Sequence, residues 1–165
     1  MAKKFITSDL INKIEKLTKQ RMSEQPVVSL DEFRGAHKKM NPKNILVIED
    51  DETQRLSLKR ILEAEGYTTL MAADSAELTA VLDEEKELHL ILMDIGLPWI
   101  NGFELAEMMK QHPDLKKLPL VFLSAQAEQE DFDKARAVGA ADYIKKPFDI
   151  EKLKTVISKL LSDNK

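Results

Sequence analysis

Short apolar runs alternate with amphipathic segments along the chain from residue 44 onward. The apolar runs predict five strands, at residues 45–49, 67–72, 88–93, 118–124 and 141–146. The segments that follow them have the spacing or the boundary residues of helices, at residues 53–66, 75–86, 102–112, 128–139 and 149–162. Ser75 is the expected N-cap of the second helix, and helix ends are expected at Gly66, Pro113 and Gly139.

A strand followed by a helix, five times over, predicts an α/β domain with a parallel sheet and helices on both faces. The first, third and fourth runs are almost continuously apolar, as expected of strands that are buried on both sides. Right-handed crossovers leave few possible topologies. We therefore predict a doubly wound, five-stranded sheet in the flavodoxin-like order 2-1-3-4-5.

The first forty residues have a different pattern, which predicts a helical extension. Thr7 can cap a helix over residues 8–22, which would place Leu10, Ile11, Ile14 and Leu17 on one apolar face. Ser29 and Glu32 have the spacing of a second capping box. The predicted division is an extension and linker over 1–43, the α/β domain over 44–162 and a tail over 163–165. Residues 8–22 could dock on this domain, self-associate or bind a target.

Composition and charge narrow the functional classes. The 165 residues include no cysteine and no apolar run close to the ~20 residues of a membrane span, and the amino terminus lacks the pattern of a signal peptide. A cytoplasmic location without membrane insertion is the expectation.

Residues 1–40 carry nine basic and five acidic side chains, and residues 41–165 carry 16 and 24, which gives net charges of +4 and −8. A domain with a charge of −8 is a poor nucleic-acid binder, so no nucleic-acid partner is predicted.

Polar side chains end several of the predicted strands. Glu49, Asp50 and Asp51 end the first strand, and Asp94 follows the third. In the predicted strand order, these two strand ends flank the position where open α/β sheets bind their ligands. Carboxylates brought together there would repel one another, and a divalent cation would relieve the repulsion. Oxygen ligands without nearby His or Cys favour a hard ion, so we predict a Mg²⁺ site.

Two further strand ends complement the carboxylates. Ser124 ends the fourth strand, and Lys146 ends the fifth. A hydroxyl group and an ammonium group beside a metal-bound carboxylate can bind the oxygens of a phosphoryl group, and carboxylates accept phosphoryl groups as acyl phosphates. Each residue alone is also typical of an ordinary turn or cap. Their joint placement at the ends of different strands favours phosphoryl chemistry at Asp94.

Four motifs make residues 44–162 resemble the receiver domain of bacterial two-component response regulators. "ILVIEDDE" resembles the first strand and its acidic pair, and "LMDIGLPWINGFEL" resembles the phosphoacceptor loop. "LVFLSA" resembles the strand that ends in a hydroxyl residue, where the family often has Thr, and "GAADYIKKPF" resembles the last strand.

The resemblance implies a role for each matching residue. Asp94 would be the phosphoacceptor, and Mg²⁺ would be held by Glu49, Asp50, Asp94 and the backbone carbonyl of Gly96. Lys146 would bind the phosphoryl group, and Lys146–Pro147 would be a cis peptide bond. Ser124 and Tyr143 would form the switch pair.

The resemblance also implies partners and an output. The phosphoryl donor would be a phosphohistidine on a sensor histidine kinase or a histidine phosphotransfer protein. Only "SDNK" follows the last helix, so we expect a stand-alone receiver that signals to an unknown target through protein contacts. The fourth helix, fifth strand and fifth helix would form the signalling face. Such a protein catalyses its own phosphotransfer and autodephosphorylation and is not a turnover enzyme.

Two alternatives stay open from the sequence. One is a degenerate receiver that binds partners without phosphorylation. The other is an aspartyl-phosphate phosphatase, which would need a second acid two residues after its nucleophile, where this chain has Gly96. Trp99, the single tryptophan, lies on the same loop and is either a partner contact or a partly exposed loop side chain.

Overall fold

The computed structural model describes residues 42–163, in which five strands and five helices alternate strictly. The predicted helix 8–22, the capping box at Ser29 and the possible self-association through residues 8–22 lie outside the described residues. The elements are β1 (Asn44–Ile48), α1 (Glu52–Ala64), β2 (Thr68–Ala72), α2 (Ser75–Asp83), β3 (Leu90–Asp94), α3 (Gly102–Gln111), β4 (Leu120–Ser124), α4 (Gln129–Ala137), β5 (Asp142–Lys145) and α5 (Ile150–Ser162).

The sheet is fully parallel and has the order β2-β1-β3-β4-β5. The predicted fold class and strand order are therefore confirmed. Ile48 pairs with Met93, Asp94 pairs with Leu123, and Ser124 pairs with Lys145. This register brings the carboxyl ends of β1, β3, β4 and β5 to one edge of the sheet.

Both faces of the central strands are buried, which explains their continuous apolar sequences. Alternate residues point to opposite faces because the side-chain period of a strand is two. One core cluster joins the sheet to α1 and α5, and the other joins it to α2, α3 and α4. On β3, for example, Leu90 and Leu92 belong to the first cluster, whereas Ile91 and Met93 belong to the second.

Asx caps fix the starts of four helices. Asp51, Asp74, Asn101 and Asp149 each accept a backbone N–H bond from the first turn of the helix that follows. The prediction of Ser75 as the N-cap of α2 was wrong by one residue. Asp74 is in the extended conformation and its carboxylate accepts the N–H of Glu77, so Ser75 is already helical.

Element boundaries differ from the predictions by at most three residues. β1 ends at Ile48 and β5 at Lys145, so Glu49 and Lys146 lie just beyond their strands. The third strand extends one residue further than predicted and includes Asp94. Helix α2 ends at Asp83 instead of residue 86. Gly66 and Gly139 have the positive φ angles expected after helix ends, 89° and 77°.

No helix within residues 42–163 is long and apolar enough to cross a membrane.

Gly102 fixes the loop that connects β3 to α3. Its N–H donates to the carbonyl of Ile95 at 3.0 Å, so the loop closes on the end of its own strand. A Cβ at this position would lie 2.6 Å from the Cα of Ile95 and 2.9 Å from the carbonyl oxygen of Asp94. Both contacts are with backbone atoms, which cannot move aside without displacing Asp94.

We therefore expect Gly102→Ala to lower the free energy of unfolding by about 1–3 kcal/mol, the usual cost of overpacking. Urea unfolding followed by circular dichroism measures this change. Glu107→Ala, on the exposed side of the same helix, is the control and should stay within about 0.5 kcal/mol of the wild type. Equal stability of Gly102→Ala and the control would contradict the tight packing at the loop closure.

Candidate functional site

Lys146 and two carboxylates form an ion-pair cluster at the carboxyl edge of the sheet. The Nζ of Lys146 lies 2.6 Å from Oε2 of Glu49 and 3.4 Å from Oδ1 of Asp94. Lys145, its neighbour in sequence, is exposed and does not take part in this cluster. The Lys146–Pro147 peptide bond is cis, which confirms that prediction. Residues far apart in the sequence are thus brought together as the strand order requires.

The carboxylates of this cluster are unusually buried. Glu49 is 1% exposed and Asp94 is 8% exposed, and with Ser124 they are the buried polar residues of the described chain. Burial raises the pKa of Glu49 above its ordinary value, and the negative charge of Asp94 adds to this rise. The hydrogen bond and the positive charge of Lys146 act in the opposite direction without cancelling the effect of burial. The site therefore holds more negative charge than Lys146 alone can compensate.

A hard divalent cation fits this arrangement. Carboxylate oxygens of Glu49, Asp50 and Asp94 all lie within 4.8 Å of one another. Glu49 and Asp94 are buried, whereas Asp50 is exposed at the opening of the site. The donors are all oxygen atoms, which is the ligand chemistry of Mg²⁺. Within residues 42–163 this is the only cluster of three such side chains, so the residues fit the predicted metal.

The turn between β1 and α1 holds the acidic residues in place. Asp51 caps α1, and its own N–H donates to Oε1 of Glu49 at 3.2 Å. Arg55 reaches back from α1, and its Nη1 donates to the carbonyls of Glu49 at 3.0 Å and Asp50 at 3.1 Å. The sequence analysis missed Arg55. The signal was a basic residue on the first turns of the helix that follows the acidic pair.

Gly96 lies against the carboxylate of Asp94. Its N–H donates to Oδ1 of Asp94 at 3.2 Å. A Cβ at this position would lie 3.9 Å from both carboxylate oxygens, so glycine leaves this approach to Asp94 open. The hydrogen bond from this N–H also orients the carboxylate of Asp94, since it engages one of the two carboxylate oxygens.

Ser124 and Tyr143 are joined through Gln126. The Oγ of Ser124 accepts the N–H of Gln126 at 3.1 Å, and the hydroxyl of Tyr143 donates to the carbonyl of Gln126 at 2.6 Å. Burial raises the pKa of Tyr143. The ring of Phe132 on α4 packs on that of Tyr143 with centroids 4.6 Å apart. The sequence analysis missed Gln126 and Phe132, whose roles depend on the path of the β4–α4 loop.

Trp99 is a packed loop residue. Its side chain is half-buried against the core cluster of α2, α3 and α4, and its Nε1 donates to the carbonyl of Ala73 at 3.2 Å. These contacts favour the interpretation of Trp99 as a partly exposed loop side chain over that of a partner contact. The indole thereby links the β3–α3 loop to the loop that follows β2.

The family follows from a comparison with known proteins. Residues 45–158 match the response regulator receiver domain. The chain belongs to this family. Receiver domains of two-component systems are signalling modules rather than turnover enzymes, and they hold Mg²⁺ at an acidic pocket.

Three relatives illustrate the range of proteins that contain such a receiver. The phosphate regulon transcriptional regulatory protein PhoB of Rhizobium meliloti is 35% identical over 124 residues, which cover 74% of this chain and 53% of PhoB. The polar-differentiation response regulator DivK of Brucella anthropi is 30% identical over 122 residues, covering 74% of this chain and 98% of DivK. The chemotaxis protein CheY4 of Vibrio cholerae superposes with a TM-score of 0.67 at 26% identity, covering 73% of this chain and 99% of CheY4.

The chain thus spans about half the length of PhoB and nearly all of DivK and CheY4. The receiver fold and the family are shared by all three. The roles of Asp94, Ser124, Tyr143 and Lys146 in this chain stay predictions, although the structure brings Lys146 to Asp94 and joins Ser124 to Tyr143 through Gln126.

Mg²⁺ should stabilise this receiver, because it offsets the repulsion among Glu49, Asp50 and Asp94. A ligand that binds only the folded state adds roughly 2.7 kcal/mol to the free energy of unfolding at a hundredfold excess over its dissociation constant. Thermal melts with Mg²⁺ and with a monovalent salt of matched ionic strength measure the effect. We expect Asp94→Asn to reduce the Mg²⁺-dependent rise in melting temperature and the exposed Asp114→Asn to leave it unchanged. Equal melting temperatures of the wild type in the two salts would exclude the metal site.

Proposed function

We propose that this protein is a response regulator whose receiver accepts a phosphoryl group on Asp94 in two-component or phosphorelay signalling. The donor is a phosphohistidine on a sensor histidine kinase or a histidine phosphotransfer protein. Mg²⁺ would be held by Glu49, Asp50, Asp94 and the carbonyl of Gly96. The phosphorylated receiver signals to a downstream protein through direct contacts.

The observation that carries this proposal is the position of Lys146 between Glu49 and Asp94, beside a third carboxylate. The carboxylate of Asp94 is the nucleophile, and its contacts with Lys146 and with the N–H of Gly96 both engage Oδ1. An oxygen of Asp94 attacks the phosphorus, the P–N bond to the donor imidazole breaks, and the imidazole leaves with the bonding electrons and takes up a proton. The product is an acyl phosphate on Asp94.

The reaction requires positioning and charge neutralisation more than any other chemistry. Mg²⁺, when bound, neutralises charge on the phosphoryl oxygens and on the surrounding carboxylates. Lys146 holds an ammonium group 3.4 Å from Asp94, so it can pair with a phosphoryl oxygen once that group is in place. Ser124 is buried at the end of the neighbouring strand and supplies a hydroxyl group to the same edge.

The aspartyl-phosphate phosphatase is disfavoured by the phosphoacceptor loop. Such an enzyme needs a carboxylic acid two residues after the nucleophile to protonate the leaving group, and this chain has Gly96 there. The N–H of Gly96 bonds to Asp94, and no side chain from this position enters the site. Autodephosphorylation of the acyl phosphate by water needs no such acid and belongs to the proposed function.

Output through protein contacts is supported by the link from Tyr143 to α4. Phe132 packs on the Tyr143 ring and is itself 37% exposed, so a change at Tyr143 would alter the surface of α4. We propose the face of α4, β5 and α5 as the signalling surface and Ser124 with Tyr143 as its switch. We propose a stand-alone receiver like DivK, of which the matched segment covers 98%.

Treatment with acetyl phosphate and Mg²⁺ tests the proposal. We expect one phosphoryl group per chain by intact mass spectrometry, released by hydroxylamine as an acyl phosphate is. Asp94→Asn should abolish the adduct because it removes the nucleophile, whereas Asp114→Asn, at the opposite edge of the sheet, should keep it. Beryllofluoride should bind the wild type and not Asp94→Asn.

Different outcomes would separate the alternatives. A folded wild-type protein that takes no phosphoryl group and binds no beryllofluoride would be a degenerate receiver. Sustained hydrolysis of phosphate monoesters would indicate a phosphatase. An adduct that persists in Asp94→Asn would place the phosphoacceptor at another residue.

Deletion of residues 1–40 tests the proposed domain division. All the proposed site residues lie between Glu49 and Lys146, so acetyl phosphate should phosphorylate the truncated protein within a few-fold of the full-length rate. The predicted apolar face of residues 8–22 gives these residues a role in assembly or partner choice, so oligomeric state, target binding or solubility should change. A truncated protein that is folded but cannot be phosphorylated would contradict this division. Unchanged behaviour in every assay would make the extension passive.

A further inference from the structure

Trp99 links two loops that border the proposed metal site. It lies on the β3–α3 loop, after Asp94 and Gly96 and before Gly102. Its indole Nε1 donates to the carbonyl of Ala73, a residue 26 positions earlier in the chain, at 3.2 Å. The half-buried ring packs against the core beneath the loop, so the donor is held in position. A Trp N–H that is partly removed from water in this way needs such a partner.

The acceptor of this hydrogen bond is connected to the acidic side of the site. Ala73 directly follows β2, and the carbonyl of the preceding Ala72 accepts the N–H of Glu49 at 3.1 Å. The N–H of Ala73 is itself held by Oε2 of Glu77 at 2.7 Å. A continuous path therefore runs from the indole of Trp99 through Ala73 and Ala72 to the backbone of Glu49.

The β3–α3 loop, which carries Trp99, is also held by hydrogen bonds. The β3–α3 loop is closed by the bond from the Gly102 N–H to the carbonyl of Ile95, and Gly96 bonds to the Asp94 carboxylate. Trp99 adds a bond from this closed loop to a different loop. The proposed ligands fall on the two sides that Trp99 connects, with Asp94 and Gly96 on one side and Glu49 and Asp50 on the other.

We propose that Trp99 is a positioning residue, whose hydrogen bond to Ala73 presets the spacing between the two halves of the Mg²⁺ site. Mg²⁺ binding then costs less free energy because the loops are already ordered, so the affinity for Mg²⁺ is higher. This inference rests on the proposed metal site and adds to it a residue that touches neither the metal nor the phosphoryl group.

Trp99→Phe keeps an aromatic ring in the loop and removes the donor. We expect the dissociation constant for Mg²⁺, measured by calorimetry well below the melting temperature, to rise about fivefold, the usual net effect of one lost hydrogen bond. Phosphorylation by acetyl phosphate should be slower at low Mg²⁺ and should recover at saturating Mg²⁺. In the metal-free protein, amide hydrogen exchange at Glu49 and Gly96 should be faster than in the wild type.

Leu161→Ala is the matched control. This residue is buried in the last turn of α5, in the core cluster on the opposite face of the sheet, so its truncation lowers stability away from the Trp99 path. It should leave the Mg²⁺ affinity of the folded protein unchanged. A merely structural role of Trp99 predicts that both variants melt at lower temperature and bind Mg²⁺ like the wild type.

The outcomes distinguish the two proposals. Unchanged Mg²⁺ affinity in Trp99→Phe, with normal binding in the wild type and in Leu161→Ala, would overturn the role of Trp99 alone. The same loss of affinity in both variants would also overturn it, since affinity would then follow global stability. A wild-type protein that binds no Mg²⁺ would overturn the metal site and, with it, the positioning role.

Discussion

The excess of negative charge at the carboxyl edge of the sheet is the constraint on which the rest of the site depends. Two buried carboxylates, Glu49 and Asp94, share a single ammonium group, with Asp50 beside them at the surface. Burial of such groups costs free energy that one salt bridge does not recover, as the raised pKa of Glu49 indicates. The fold maintains this unfavourable arrangement because the two core clusters stabilise the strands from both faces. A divalent cation bound at this site would offset the excess negative charge of the carboxylates.

Backbone geometry, more than side-chain pairing, keeps the charges in place. Arg55 donates to the backbone carbonyls of Glu49 and Asp50 and does not bond to their carboxylates. The carboxylate of Asp51 caps α1. On the other side, Gly102 closes the β3–α3 loop where no other side chain fits without displacing the backbone. Hydrogen bonds to the backbone thus hold each loop, an arrangement that suits the positioning of a phosphoryl group in the proposed function.

The alternation of apolar runs and helical segments predicted a parallel sheet, and right-handed crossovers left few topologies. The order 2-1-3-4-5 was the leading choice among them, and the resemblance to receiver domains contributed to that choice. That order also predicted which strand ends would meet, and Lys146 does contact Glu49 across 97 positions. The exact boundaries were less predictable. Asp74 and Ser75 are both good caps, and only the backbone conformation decides between them. The hydrogen bonds from Trp99 to the carbonyl of Ala73 and from Tyr143 to the carbonyl of Gln126 depend on loop paths that periodicity does not encode.

The site and the proposed output share the β4–α4 loop. Ser124 uses its oxygen to accept the N–H of Gln126, and Gln126 in turn holds the hydroxyl of Tyr143. In the proposed function, a phosphoryl oxygen on Asp94 accepts the O–H of Ser124, and any movement of Ser124 acts on Gln126 directly, because Gln126 donates to the same hydroxyl oxygen. The inward position of Tyr143 and its packing with Phe132 depend on the same loop. The proposed path from Asp94 to the surface of α4 therefore runs from Ser124 through two hydrogen bonds and one aromatic contact.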